Sequence, residues 1–168
     1  MMGGVVPRVV RQMQAEGLAF ADKPILIGGM AMEYYGLRQA GKDIDLVVTQ
    51  RDYQALARAV PEKRKDLYGD LGVVIGKFEI WRSIALLDYD FYKKDAIEED
   101  GLFAVSIDRL LWSRVCAMEV EKYRKDLLCL RQYYYRRFTN PAFRREARAH
   151  QLSYQKLGGA VLGGRYED

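Results

Sequence analysis

Between Ile25 and Val48 the chain reads ILIGGMAMEYYGLRQAGKDIDLVV, and no other stretch constrains the fold as strongly. A short apolar run stops abruptly at Gly28-Gly29, and MAMEYYGL then reads as a short helix. A second strand-like run, residues 43–48, alternates in character. On an extended strand Asp43 and Asp45 share one face, while Ile44, Leu46 and Val48 share the other. Strand, glycine turn, helix and strand in such close succession require a small sheet with a helix packed on it.

The flanking segments extend this pattern. Val6, Val9, Val10 and Met13 recur at helical spacing within residues 5–17, with Gly17 as a stop. Residues 51–60 form an amphipathic helix closed by Pro61. Residues 71–91 are rich in β-branched and aromatic side chains and predict one or two strands joined near Gly76-Lys77. An acidic loop or edge follows over 93–101, then a short strand over 102–105. Residues 107–120 and 121–138 read as helices, Asn140-Pro141 breaks the run, and 142–157 read as a basic helical tail. The fold expected is α+β: a small mixed sheet with helices on one face and a helical C-terminal region. The expected division is a domain over 1–138 and a basic tail over 139–168.

Composition narrows the chemistry. The 168 residues include two cysteines, Cys116 and Cys129, and one histidine, His150. No disulfide framework, histidine-based metal site or Ser-His-Asp triad can be built from these. No apolar run approaches 18 residues, so no membrane span is expected, and without a signal-peptide pattern the expected compartment is the cytoplasm. The formal net charge is +4, unevenly spread. Residues 121–168 hold eleven basic and five acidic side chains, a net of +6, against −2 for the first 120. A basic C-terminal third suits a polyanionic partner, or simply a solvated helical face.

Two devices within 25–48 carry chemistry. Glycines at the end of a strand let a ligand approach the backbone, and free N–H groups at the following helix suit phosphate. Paired carboxylates at Asp43 and Asp45 repel each other unless cations neutralise them, and hard oxygen ligands suit Mg²⁺ or Mn²⁺. Together they would put a triphosphate beside divalent metal. Each device alone is weak; thirteen residues separate Gly29 from Asp43, and the combination is sharper.

With these residues in view, the stretch resembles the nucleotidyltransferase superfamily with the DNA polymerase β-type fold. It is similar in particular to small prokaryotic members, the minimal nucleotidyltransferases and the AbiEii-type toxin-antitoxin proteins. Gly28, Gly29, Ala31, Tyr35, Gly36, Arg38, Lys42, Asp43, Ile44 and Asp45 stand in matching places, and Gly41 stands where a threonine is common. Tyr123-Arg124-Lys125-Asp126 matches a later segment, so the resemblance spans roughly residues 24–130. It implies that residues 1–138 form a nucleotidyltransferase-like domain. The implied reaction moves an NMP from an NTP to a hydroxyl acceptor on RNA (tRNA among them), a protein or a small molecule. Mg²⁺ or Mn²⁺ would serve as cofactor and a cognate protein as a possible partner. It also implies a third carboxylate on a later strand. Glu79, between Phe78 and Ile80, is the expected one; Asp88, Asp90 or no third acid at all are the alternatives. Gly28 and Gly29 would hold phosphates, and Arg38 and Lys42 would reach them, ordinary surface charge being the other reading of those two cations.

Two further readings stay open beside it: a non-catalytic binding or partner module on the same fold, and a basic RNA-binding protein. Tyr133-Tyr134-Tyr135-Arg136-Arg137 mixes aromatics with cations as nucleic-acid surfaces do. Lys125 reads more simply as an i,i+4 partner of Glu121. Cys116, Cys129, Trp81 and Trp112 read as packing residues.

Overall fold

The computed structural model describes residues 4–67, 69–116, 121–130, 141–142, 144–146, 148–149 and 152. His150 and the run 133–137 lie outside the described residues. The chain divides into two compact units, Met1–Ser106 and Ile107–Asp168. The boundary expected at 138/139 falls among residues outside the description.

The first unit begins with helix α1 (Val5–Ala15), whose Val5, Val6, Val9 and Met13 are buried on one stripe. Strand β1 (Ile25–Leu26) runs through a single residue into helix α2 (Gly28–Tyr34). The helix is short because Gly36, at φ +68°, closes it: its N–H donates to the Glu33 carbonyl and the Leu37 N–H to the Met32 carbonyl. Strand β2 (Ile44–Val47) follows. Helix α3 (Gln50–Ala59) is capped by Thr49, which accepts from the Asp52 N–H.

Strands β3 (Gly72–Ile75) and β4 (Phe78–Trp81) form the hairpin expected around Gly76-Lys77. Beyond it lie elements that local signals did not indicate: a second hairpin, β5 (Ser83–Ile84) and β6 (Leu87–Asp88), then helix α4 (Tyr89–Lys93). The hairpin turns at Ala85 and Leu86, with φ of +53° and +61°. That conformation normally calls for Asn-Gly. A fully buried carboxylate replaces the missing turn chemistry. Asp70 accepts from the N–H groups of Ala85 and Leu86 and from the Ser83 hydroxyl, at 2.8, 2.9 and 3.1 Å. Edge strand β7 (Ile97–Glu98) and strand β8 (Phe103–Ala104) complete the unit.

The six-stranded sheet has the order β3-β4-β2-β1-β8-β7. Pairs β2–β4 and β1–β8 are parallel; β1–β2, β3–β4 and β7–β8 are antiparallel. The sheet is therefore mixed, as expected of this α+β chain. Leu26, Ile44, Leu46, Val48, Phe78 and Ile80 form a core with α1, with Met30 and Tyr34 of α2 and with Tyr53 of α3. Leu46, Phe78 and Ile80 are wholly excluded from solvent, each adding about 1.5–3 kcal/mol. Asp45, Val47, Glu79 and Trp81 alternate onto the opposite face. There α4 places the Lys93 ammonium over the Phe103 ring, 5.3 Å from its centroid.

In the second unit helix α5 (Ile107–Cys116) and helix α6 (Glu121–Cys129) are described. Arg114 and Asp126, both buried, link them at 2.9 Å, and the Arg114 guanidinium lies 4.4 Å from the Tyr123 ring centroid. Lys125 pairs with Glu121 at 3.1 Å on the exposed side of α6. Cys116 is buried and Cys129 half-buried, both as thiols. Arg144, Arg145 and Arg148 are helical and exposed. Among the described residues no helix is long and apolar enough to cross a membrane.

Candidate active site

The acid pair is assembled by strand register. Asp45 and Glu79 are direct partners across the parallel β2–β4 ladder, so their side chains leave the sheet side by side on one face. Asp43 precedes β2 by one residue, is exposed, and lies two positions before Asp45. Asp45 and Glu79 are half-buried.

The glycine turn meets this pair directly. The Ile27 N–H donates to the Asp45 carbonyl at 3.1 Å, extending the β1–β2 ladder to the point where α2 begins. Gly28 there has φ +63°, and a Cβ on it would overlap the Asp45 carboxylate. Only glycine satisfies both demands. On the other side, a Cβ at Gly29 would lie 3.6 Å from Arg38 Nη1, so the guanidinium flanks the turn. Arg38 Nη1 also donates to the Gln39 carbonyl at 2.9 Å. Gly28, Gly29, Arg38, Asp45 and Glu79 are thus brought together. Lys42 is not: with Ile44 it lines a cavity that none of the three acids lines.

One residue that sequence reasoning passed over enters the site. Arg64 bridges to Val73, and the Lys65 N–H donates to the Gly72 carbonyl at 2.9 Å, so this segment runs along edge strand β3. It carries Lys65 Nζ to 3.1 Å from Glu79 Oε1. A lone lysine in a polar loop gives no local signal of that role; the β3 edge provides it. Two residues past Glu79 on the same face, Trp81 is buried and its indole N–H has no hydrogen-bond partner among the described residues.

The donor set can be weighed against the expected metal. Among the described residues no group of three His, Cys, Asp or Glu side chains is arranged to hold an ion. Mg²⁺, however, is commonly held by one or two carboxylates with substrate phosphates and water completing the shell. Asp45 and Glu79, adjacent hard oxygen donors beside the glycine turn, fit that looser arrangement. Lys65 is the competing cation.

Asp88 and Asp90, the alternative third acids, lie elsewhere. Asp88 caps α4, accepting from the Phe91 N–H at 3.1 Å, and Asp90 is exposed on the same helix. Both line the larger cavity, about 450 Å³, with Thr49, Arg82, Leu86 and Tyr89. None of the acid pair, the glycine turn or Arg38 lines it. Burial, with the Asp22, Asp52 and Asp90 carboxylates adding to it, pushes the Tyr89 hydroxyl up to about 12, and that hydroxyl donates to the Lys23 carbonyl. The acid pair therefore lies apart from this cavity.

Comparison of the chain with protein-family models, curated proteins and solved structures finds no match in any of the three.

Proposed function

We propose that the chain is a metal-dependent nucleotidyltransferase that moves an NMP from an NTP to a hydroxyl acceptor. One observation carries the reading: Asp45 and Glu79 share a register on neighbouring parallel strands, with the Gly28 turn against Asp45. The N–H groups at the start of α2 and the Arg38 guanidinium supply the positive groups a triphosphate needs. Asp45 and Glu79, with Asp43, would hold Mg²⁺ or Mn²⁺, which when bound supplies charge neutralisation and acidifies an acceptor hydroxyl. Glu79 would help to take the acceptor proton. The acceptor oxygen bonds to the α-phosphorus, the bond to the bridging oxygen breaks, and pyrophosphate leaves. The exposed Arg144, Arg145 and Arg148 favour RNA as acceptor over a neutral small molecule.

Thermal unfolding of the wild type and of Asp45→Asn tests this, with each NTP plus Mg²⁺ or Mn²⁺. A ligand at about 100 times its Kd adds roughly 2.7 kcal/mol. For a chain of this length that is a rise on the order of 5–10 °C. The expected rise needs metal and nucleotide together and vanishes in the variant; transfer from labelled NTP then identifies the acceptor. No rise with any nucleotide would overturn the reading.

A second reading has its own observation. With Lys65 paired to Glu79, one carboxylate of the pair already has a cation without metal, as a non-catalytic binding module on this fold would allow. Full stability that ignores metal and nucleotide, in wild type and Asp45→Asn alike, favours that module.

A further inference from the structure

The smaller cavity, about 280 Å³, opens where the loop entering β2 meets α1, α2 and the β3–β4 turn. Its charged lining consists of Arg8, Glu33, Lys42 and Lys77. Glu33 is fully engaged. Its Oε1 accepts from Arg8 Nη2 at 2.8 Å and its Oε2 from the Ala40 N–H at 2.8 Å. The ammonium groups of Lys42 and Lys77 have no ion-pair or hydrogen-bond partner among the described residues. The Ile44 N–H donates to the Lys77 carbonyl at 2.8 Å and ties the end of the loop to the turn.

Three cations, Arg8, Lys42 and Lys77, line this hollow against one carboxylate, Glu33, and that carboxylate is already engaged. Bringing cations together in this way is unfavourable unless an anion joins them. We propose that this cavity binds a phosphate group, free or as one end of a diphosphate. Lys42 and Lys77 contribute the charge, as lysines do at phosphate sites. Gln12 and Gln39, also in the lining, offer amide donors for the remaining oxygens. The volume is below that of pockets that enclose drug-sized ligands, which suits a phosphate or diphosphate better than a whole nucleotide. Neither Asp45 nor Glu79 lines it, so the site stands apart from the acid pair and does not depend on the transferase reading.

The test is an ¹⁵N NMR titration of the full chain with inorganic phosphate, and separately with pyrophosphate, at constant ionic strength. Saturable shifts are expected in the amides of residues 39–42 and of Lys77. Lys42→Ala and Lys77→Ala should each weaken the affinity by about tenfold, the loss of one charge-assisted contact. Asp45→Asn should leave it unchanged. Tighter pyrophosphate binding assigns the site a diphosphate, and equal affinities assign it a single phosphate; either supports it. Absence of saturable shifts, or affinities that survive both lysine replacements, overturns the proposal. Weakening by Asp45→Asn also overturns it, because the ion would then sit at the glycine turn.

Discussion

The space a side chain would need at Gly28 is filled by the carboxylate of Asp45. The turn that starts α2 and the acid that would bind metal are therefore one sterically coupled unit. Gly28→Ala faces both a left-handed backbone and this overlap, and should cost about 2–4 kcal/mol. In an Asp45→Ala background the overlap is relieved and only the backbone cost, about 1–2 kcal/mol, should persist. Urea unfolding of the two single variants and the double variant measures the coupling. Strict additivity would mean the two residues do not meet.

Lys65 occupies the Glu79 carboxylate. Lys65→Met should leave two neighbouring carboxylates without that cation and tighten Mn²⁺ binding by about tenfold. Without metal the variant should lose less than about 1 kcal/mol, as partly exposed ion pairs do. Electron paramagnetic resonance of free Mn²⁺ reads this directly. One affinity shared by wild type, Lys65→Met and Glu79→Gln would remove Glu79 from the cation site.

Asp70 holds a strained turn through three hydrogen bonds from inside the protein. Asp70→Ala leaves two N–H groups and a hydroxyl to find other partners, and should cost about 3 kcal/mol or more. Amide exchange should accelerate first at Ala85 and Leu86. Protection that is unchanged there would show that the turn stands without the carboxylate.

Arg114 Nε approaches Asp126 Oδ2 at 2.9 Å yet makes no hydrogen bond of acceptable angle, so their link is chiefly Coulombic. Asp126→Asn strands a buried cation and should destabilise by about 3–5 kcal/mol. The paired replacement Arg114→Met, Asp126→Leu should be close to neutral. Calorimetry distinguishes the two; equal losses in both variants would mean the pair contributes net stability.

Glu33 is held below the ordinary carboxylate range, first by the Ala40 N–H and then by Arg8. A depressed folded-state pKa adds stability that is present above the unfolded value and is lost as pH falls through the folded one. Glu33→Gln should therefore be the less stable protein at pH 7, by about 0.5–1.5 kcal/mol. The gap should close as pH drops below about 4.5. Parallel unfolding curves across that range would count against it.

Periodicity and punctuation were enough to place α1, α2, β2, α3 and the β3–β4 hairpin, and the acid alternation put Asp43 and Asp45 on one face. These are local properties: a 2-residue or 3.6-residue repeat, or a glycine that ends an element, is written in neighbouring residues. The β5–β6 hairpin escaped this reading because Ala-Leu is no turn signal, and its turn depends on Asp70, thirteen or more positions away. Lys65 escaped it because a strand edge, not its neighbours, brings it to Glu79. Lys42 sits beside Asp43 in the chain, yet it lines a hollow that none of the three acids lines.

The chain's own order of residues thus determined α1, α2, β2, α3 and the β3–β4 hairpin, that the class is α+β, and that a glycine turn precedes an acid-bearing strand. The resemblance put Glu79 forward as the third acid; tertiary structure decided that it is the direct register partner of Asp45, that Gly28 abuts the Asp45 carboxylate, and that Lys65 reaches Glu79. The physical reason is range. Alternation and capping act over a few residues, whereas register between β2 and β4 is set by burying Ile44, Leu46, Phe78 and Ile80 in one core. Once those four side chains are inside, the carboxylates between them have no other face to occupy.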